Sequence, residues 1–86
     1  NVTIIIEQMA PGHSAIMTTQ LTTYFNQMQQ DVVTIATNQT TSTSQVIAVD
    51  MFTGFTDAML ADPVHYNQTG ADFIAARYYT VLSGLL

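Results

Sequence analysis

Two short runs of apolar, mostly β-branched residues restrict the folds that this chain can adopt. The first covers residues 2–6 and the second covers residues 45–49, and both are nearly continuous in apolar character. Such runs are typical of strands that are buried on both faces of a parallel sheet. Parallel neighbours need a crossover connection, which is usually a helix, and the runs are far enough apart to allow one. We therefore predict a right-handed βαβ unit.

The segment between the two runs has the spacing of an amphipathic helix, which we expect from about residue 15 to residue 36. Ser14 is the expected N-cap, and the polar residues 37–44 are expected to form an exposed loop. The residues predicted to form one buried stripe are Ile16, Leu21, Tyr24, Phe25, Met28, Val32 and Ile35.

The C-terminal part is predicted to contain a short helical turn at residues 56–60 and a closing helix that is capped by Asn67 and frays near Gly84. No linker divides residues 1–86. Two strands alone would leave both edges of a parallel sheet open. We therefore predict an α/β fold with helices on both faces of a parallel sheet. This chain would supply its last two strands and last helices, and the earlier strands would lie elsewhere.

Composition excludes several classes of partner. The net charge is −5, with a single basic residue, and 8% of the residues are charged. A phosphate backbone or an anionic membrane surface requires several Lys or Arg contacts, so we expect neither nucleic acid nor a membrane as a partner. No apolar run approaches the roughly 20 residues that span a bilayer. The absence of cysteine excludes a thiolate nucleophile.

Three Asn-x-Thr sequons occur, at Asn1, Asn38 and Asn67. Together with the abundance of Thr, they favour a secreted protein. Asn38 is the best predicted acceptor, because it falls in the predicted polar loop. A glycan on Asn67 would conflict with its predicted role as a helix cap.

The motif with the clearest chemistry is Asp62-Pro63-Val64-His65. Proline disfavours the helical region for the residue before it, so Asp62 is expected to be extended. The Nδ1–H of His65 can then donate to the Asp62 carboxylate, which leaves Nε2 able to accept a proton from a hydroxyl. The alternatives are a solvated surface loop and a metal site, although two ligands without a third make a metal site a weak prediction.

His13 and Asp50 are further candidates, because each follows a predicted strand. Open α/β sheets bind ligands beyond the carboxyl ends of their strands. Both residues are therefore possible substrate contacts. The alternatives are a plain loop histidine for His13 and, for Asp50, a carboxylate that accepts backbone amides.

The stretch Asp62-Pro63-Val64-His65-Tyr66-Asn67-x-x-Gly70 resembles the last conserved block of the GDSL, or SGNH, hydrolases. The resemblance implies a three-layer, flavodoxin-like α/β fold and ester hydrolysis through a serine acyl-enzyme. It implies that His65 is the general base and that Asp62 orients it. No cofactor is implied.

The residues around this block indicate which members of the family the chain resembles most. Val49-Asp50-Met51-Phe52 and the closing helix with Arg77 and Tyr78 resemble the family's esterases that deacetylate plant polysaccharides, such as acetylxylan esterases. The family's Gly-Asp-Ser nucleophile block is missing, as are its oxyanion Gly and Asn. The resemblance therefore implies that the chain is inactive alone and that its partner is an N-terminal part carrying the serine. The alternatives are a lipase or aryl esterase, an acyltransferase and a non-catalytic interaction module.

Overall fold

The computed structural model describes residues 1–85. Its elements follow one another in the predicted order. They are strand β1 (Val2–Gln8), helix α1 (Thr19–Gln39), strand β2 (Ser44–Asp50), a short 3-10 helix (Asp57–Met59) and helix α2 (Gln68–Ser83).

The two strands form a parallel sheet whose register runs from the pair Val2 and Ser44 to the pair Gln8 and Asp50. The side chain of Gln8 donates to a carbonyl of α1, whereas that of the neighbouring Glu7 accepts from a tyrosine of α2. Successive residues of a strand point to opposite faces. The helices therefore cover opposite faces of the sheet, and the predicted α/β class is confirmed.

The predicted start of α1 is wrong. The N-cap is Thr18, whose hydroxyl oxygen accepts the amide of Leu21 at 3.1 Å. Ser14 cannot serve as the cap, since its amide and its hydroxyl both donate to the side chain of Asp57. A tertiary contact thus takes up the side chain that looked like a local capping residue.

The predicted loop at residues 37–44 is shorter than expected at both ends. Helix α1 continues to Gln39, and β2 already begins at Ser44. Thr40 secures this helix end, because its hydroxyl donates to the Ala36 carbonyl at 2.8 Å and accepts the Val46 amide at 3.0 Å. Asn38 therefore lies in the last helical turn and not in a loop, although it remains exposed.

The predicted buried stripe of α1 is only partly buried. Leu21, Phe25 and Val32 are half-buried, whereas Tyr24 and Ile35 are 58% and 51% exposed. Met28 is also exposed, and Ile16 lies before the helix and is exposed as well. The reason is geometric: the apolar face of α1 is wider than a two-stranded sheet can cover.

The core is small and lies at the carboxyl end of β2. The buried apolar side chains among residues 1–85 are Ala36, Val49, Met51 and Phe55. Phe55 packs edge-on against Phe73 of α2, with ring centroids 5.6 Å apart. No helix in the described part of the chain combines the length and apolar character needed to cross a bilayer.

Candidate active site

The Asp62–His65 segment forms a closed turn between the 3-10 helix and α2. The carbonyl of His65 accepts the amide of Ala61 at 2.8 Å, and Leu60 and Tyr66 form an antiparallel bridge across the base of the turn. This closure brings the side chains of Asp62 and His65 to the same side of the turn.

The contact predicted between Asp62 and His65 is present. The Nδ1–H of His65 donates to Oδ2 of Asp62 at 2.8 Å and lies 3.0 Å from Oδ1. The Asp62 Oδ1 also accepts the backbone amides of Val64 at 2.9 Å and of His65 at 2.7 Å. These amides, first that of Val64 and then that of His65, hold the pKa of Asp62 below its ordinary value. Asp62 is therefore ionised at neutral pH.

The second ring nitrogen of His65 is accessible. The side chain of His65 is 76% exposed and that of Asp62 is 48% exposed. Within residues 1–85, no group bonds to Nε2 of His65. The pair can therefore receive a hydroxyl from outside the described residues, although its catalytic role stays a prediction.

Asn67 fixes this turn to the neighbouring elements. Its Oδ1 accepts the amide of Gly70 at 3.0 Å, which confirms the predicted N-cap of α2. Its Nδ2 donates to the carbonyls of Ala58 at 2.9 Å and Leu60 at 3.4 Å. A glycan would attach to this same nitrogen, so these hydrogen bonds favour an unmodified Asn67.

His13 lies beside the same turn. Its backbone amide donates to the Pro63 carbonyl at 2.9 Å. On its ring, Nδ1 accepts the amide of Ala15 at 3.0 Å, and Nε2 lies 3.4 Å from Oδ2 of Asp57. His13, Asp57 and Asp62 line one open cleft of about 420 Å³. The structure thus places His13 beside the Asp62–His65 turn, and its contact with a substrate stays a prediction.

Asp57 is a site residue that the sequence did not reveal. Its Oδ1 accepts the amide of Ser14 at 2.8 Å, and its Oδ2 accepts the Ser14 hydroxyl. The Ser14 hydroxyl, followed by the Ser14 amide, lowers the pKa of Asp57. The two residues are far apart along the chain, and neither lies in a motif. No local pattern could have predicted their contact.

Asp50 organises the loop after β2. Its Oδ1 accepts the amides of Phe52 at 2.8 Å and Thr53 at 2.9 Å. Burial opposes ionisation of Asp50, but the hydrogen bonds from Thr53 and Phe52 outweigh it and lower the pKa. No hydrogen bond within residues 1–85 joins Asp50 to Asp62 or His65. A substrate contact by Asp50 stays a prediction.

The chain has the fold of part of an SGNH-type α/β esterase, as its similarity to two solved structures shows. No family model and no curated protein matches the sequence. A crystal structure of a carbohydrate esterase of family 3 from Talaromyces cellulolyticus is 28% identical, with a TM-score of 0.78 over 96% of this chain. A crystal structure of a mutant acetyl esterase with an acetate ion is 27% identical, with the same TM-score over 96% of this chain.

These similarities confirm the resemblance to carbohydrate acetyl esterases that the sequence predicted. The chain spans 39% of the length of each of the two esterases.

Proposed function

We propose that this chain supplies the Asp–His part of the catalytic triad of a serine esterase that removes acetyl groups from carbohydrate, such as xylan. One observation carries the proposal. An ionised Asp62 accepts the Nδ1–H of His65 at 2.8 Å in an exposed turn, in a chain with the structure of part of a carbohydrate esterase.

The geometry suits a general base. Asp62 fixes the tautomer in which Nε2 is the proton acceptor, and it stabilises the imidazolium that forms. Nε2 of His65 takes the proton of a serine hydroxyl as that oxygen attacks the ester carbonyl. The same proton then passes to the departing sugar oxygen, which leaves an acyl-enzyme. Water hydrolyses the acyl-enzyme in a second step, with His65 again as the base.

The nucleophile is proposed to come from outside this chain. Ser14 is engaged by Asp57, and the hydroxyl of Ser83 donates to the Thr80 carbonyl within α2. Neither serine contacts His65. The two similar esterases are much longer than this chain, which supports a further part outside it; we propose that this part is N-terminal and carries the serine, because the Gly-Asp-Ser block is missing here. That part would be the chain's principal partner.

The substrate proposal rests on the names of the similar proteins, a carbohydrate esterase and an acetyl esterase. A lipase, an aryl esterase or an acyltransferase would use the same triad. An oriented Asp–His pair is not required by a non-catalytic interaction module. Secretion is a further proposal, supported by the exposed sequon residues Asn1 and Asn38.

The test begins with the native protein that contains this chain. Intact mass and N-terminal sequencing would identify the polypeptide that carries the serine. Acetate release from acetylated xylan is then measured for the complete protein. His65→Ala and Asp62→Asn should each lower kcat by about 10³-fold or more. Asp31→Asn is the matched control, since Asp31 is an exposed carboxylate on α1 whose only hydrogen-bond donor within residues 1–85 is Gln27; it should leave kcat unchanged.

Three results would contradict parts of the proposal. Unchanged activity in His65→Ala would remove the catalytic assignment. His65-dependent hydrolysis of p-nitrophenyl acetate by residues 1–86 alone would remove the need for a partner. A preference for long-chain p-nitrophenyl esters over acetylated xylan would indicate a lipase.

A further inference from the structure

A second cluster of side chains connects the turn that carries the Asp–His pair to the loop after β1. We call it the Asp57 clasp and define it as His13, Ser14, Asp57 and the Pro63 carbonyl. We infer that Asp57 is a positioning residue, which orients the Asp62–His65 turn through His13 and Ser14. This inference rests on the proposed function for its kinetic consequences, but its structural part can be tested separately.

Both carboxylate oxygens of Asp57 bind the loop after β1. Its two carboxylate oxygens accept the amide and the hydroxyl of Ser14, and Oδ2 lies 3.4 Å from Nε2 of His13. Hydrogen bonds to an ionised acceptor are stronger than those between neutral groups. The Ser14 bonds also lower the pKa of Asp57, so the acceptor stays charged at neutral pH. These hydrogen bonds attach the loop after β1 to the 3-10 helix that begins at Asp57.

The ring of His13 completes the anchor. Its Nδ1 accepts the amide of Ala15, so the lone pair lies on Nδ1 and the proton of the neutral ring lies on Nε2, facing Asp57. Nδ1 is thus held by a hydrogen bond, whereas Nε2 faces the Asp57 carboxylate at 3.4 Å. The backbone amide of His13 donates to the Pro63 carbonyl at 2.9 Å. This hydrogen bond links the loop after β1 to the Asp62–His65 turn.

Pro63 lies between Asp62 and His65, so its carbonyl is the point at which the clasp acts on the pair. The internal bonds of the turn fix Asp62 and His65 relative to each other. They do not fix the turn relative to the sheet. Asn67 restrains its C-terminal side, and the clasp restrains the opposite side. Loss of the clasp should therefore leave the pair intact but move Nε2 of His65 from the position it needs.

The inference is tested in the complete protein with Asp57→Ala, Ser14→Ala and Ser14→Thr. A misplacement of about 1 Å can cost on the order of a hundredfold in rate. Asp57→Ala should therefore lower kcat about tenfold or more and leave KM within about twofold. Ser14→Ala should lower kcat less, and Ser14→Thr should restore it, because threonine keeps the hydroxyl. Asp31→Ala is the control and should change neither constant.

A second readout does not depend on activity. In protein labelled with ¹⁵N-histidine, exchange of the His13 backbone amide proton with water is measured by NMR, because this amide donates to the Pro63 carbonyl. The exchange should become faster in Asp57→Ala and should be unchanged in Asp31→Ala. The midpoint of global unfolding is recorded alongside. If Asp57→Ala does not fold, the Ser14→Ala and Ser14→Thr pair provides the comparison.

Two outcomes overturn the inference. In one, kcat and the exchange of the His13 amide proton in folded Asp57→Ala equal those of the unaltered protein. In the other, KM alone rises, which would make the clasp a substrate contact. If the proposed function itself is wrong, His65→Ala will retain activity, which distinguishes this case from the two above. If His65→Ala is inactive while Asp57→Ala is fully active, only the clasp is wrong.

Discussion

Gly70, in the first turn of α2, has no room for a side chain. A Cβ atom on Gly70 would lie 2.4 Å from the carbonyl oxygen of Met59 and 2.6 Å from the Cβ of Tyr66. The start of α2 can therefore approach the 3-10 helix only if this residue has no side chain. That approach allows Asn67 to reach the carbonyls of Ala58 and Leu60, which anchor the Asp62–His65 turn.

Replacement of Gly70 by alanine should destabilise the protein by about 1–3 kcal/mol, because the added methyl group forces backbone to move. Denaturant unfolding measures this change. Gly84→Ala is the matched control: its Cβ would have no neighbour closer than 3.4 Å, and its backbone is already helical. Equal unfolding free energies for the two variants would contradict the packing argument.

At the scale of elements, two side chains of α2 hold that helix on the sheet. The guanidinium of Arg77 donates to the carbonyls of Asp50 and Thr53, each at 2.8 Å, and lies 4.5 Å from the ring centroid of Phe73. The hydroxyl of Tyr78 donates to Glu7 of β1. The hydrogen bond to Glu7, with a contribution from burial, raises the pKa of Tyr78 to about 12.

This raised pKa predicts a loss of stability at high pH. Between the ordinary tyrosine pKa of 10.0 and the folded pKa of about 12, folded Tyr78 keeps a proton that the unfolded chain has lost. The contribution is therefore complete below pH 10 and disappears as the pH rises through the folded pKa. Tyr78→Phe should lower stability by about 1 kcal/mol at neutral pH and should reduce the decline between these pH values.

Unfolding experiments across this pH range, together with absorbance titration of the phenolate, provide the measurement. Tyr79→Phe is the control, since Tyr79 is the next residue of α2 and is 73% exposed. A Tyr78→Phe variant with the same stability and the same alkaline decline as Tyr79→Phe would show that the contact with Glu7 contributes nothing.

At the scale of the whole molecule, the amount of exposed apolar surface is large for a chain of this length. Tyr24, Met28 and Ile35 are exposed on α1, and Val2 and Ile4 are exposed on β1. The spacing of Tyr24, Met28 and Ile35 places them on one face of α1, and soluble monomers rarely leave a large apolar patch exposed without a partner. The small core at the end of β2 offers little to offset the entropy of folding.

Isolated residues 1–86 should therefore associate as their concentration rises, as measured by sedimentation velocity. The double variant Met28→Gln and Ile35→Gln should weaken that association, because it makes the exposed face of α1 polar. Thr34→Gln is the control, since Thr34 is an exposed polar residue on the same helix. An isolated chain that stays monomeric and cooperatively folded at all concentrations would contradict this expectation.

The sequence alone determined the order of the elements, the parallel class and the Asp–His contact. Each of these depends on neighbours along the chain. Continuous apolar runs predict buried strands, and Asp62 and His65 are close enough in sequence to meet in one turn. The cap at Asn67 is local in the same way, and it was predicted correctly.

Only the tertiary structure decided which polar side chains have hydrogen-bond partners and how much of the apolar face of α1 is buried. Ser14 looked like a helix cap, but it binds Asp57, and helix α1 starts at Thr19 instead. The stripe on α1 is apolar by its spacing, yet the width of the sheet determines how much of it is buried. Contacts between residues distant in sequence leave no periodic signal, because their partners are selected only when the helices and the loops pack around the sheet.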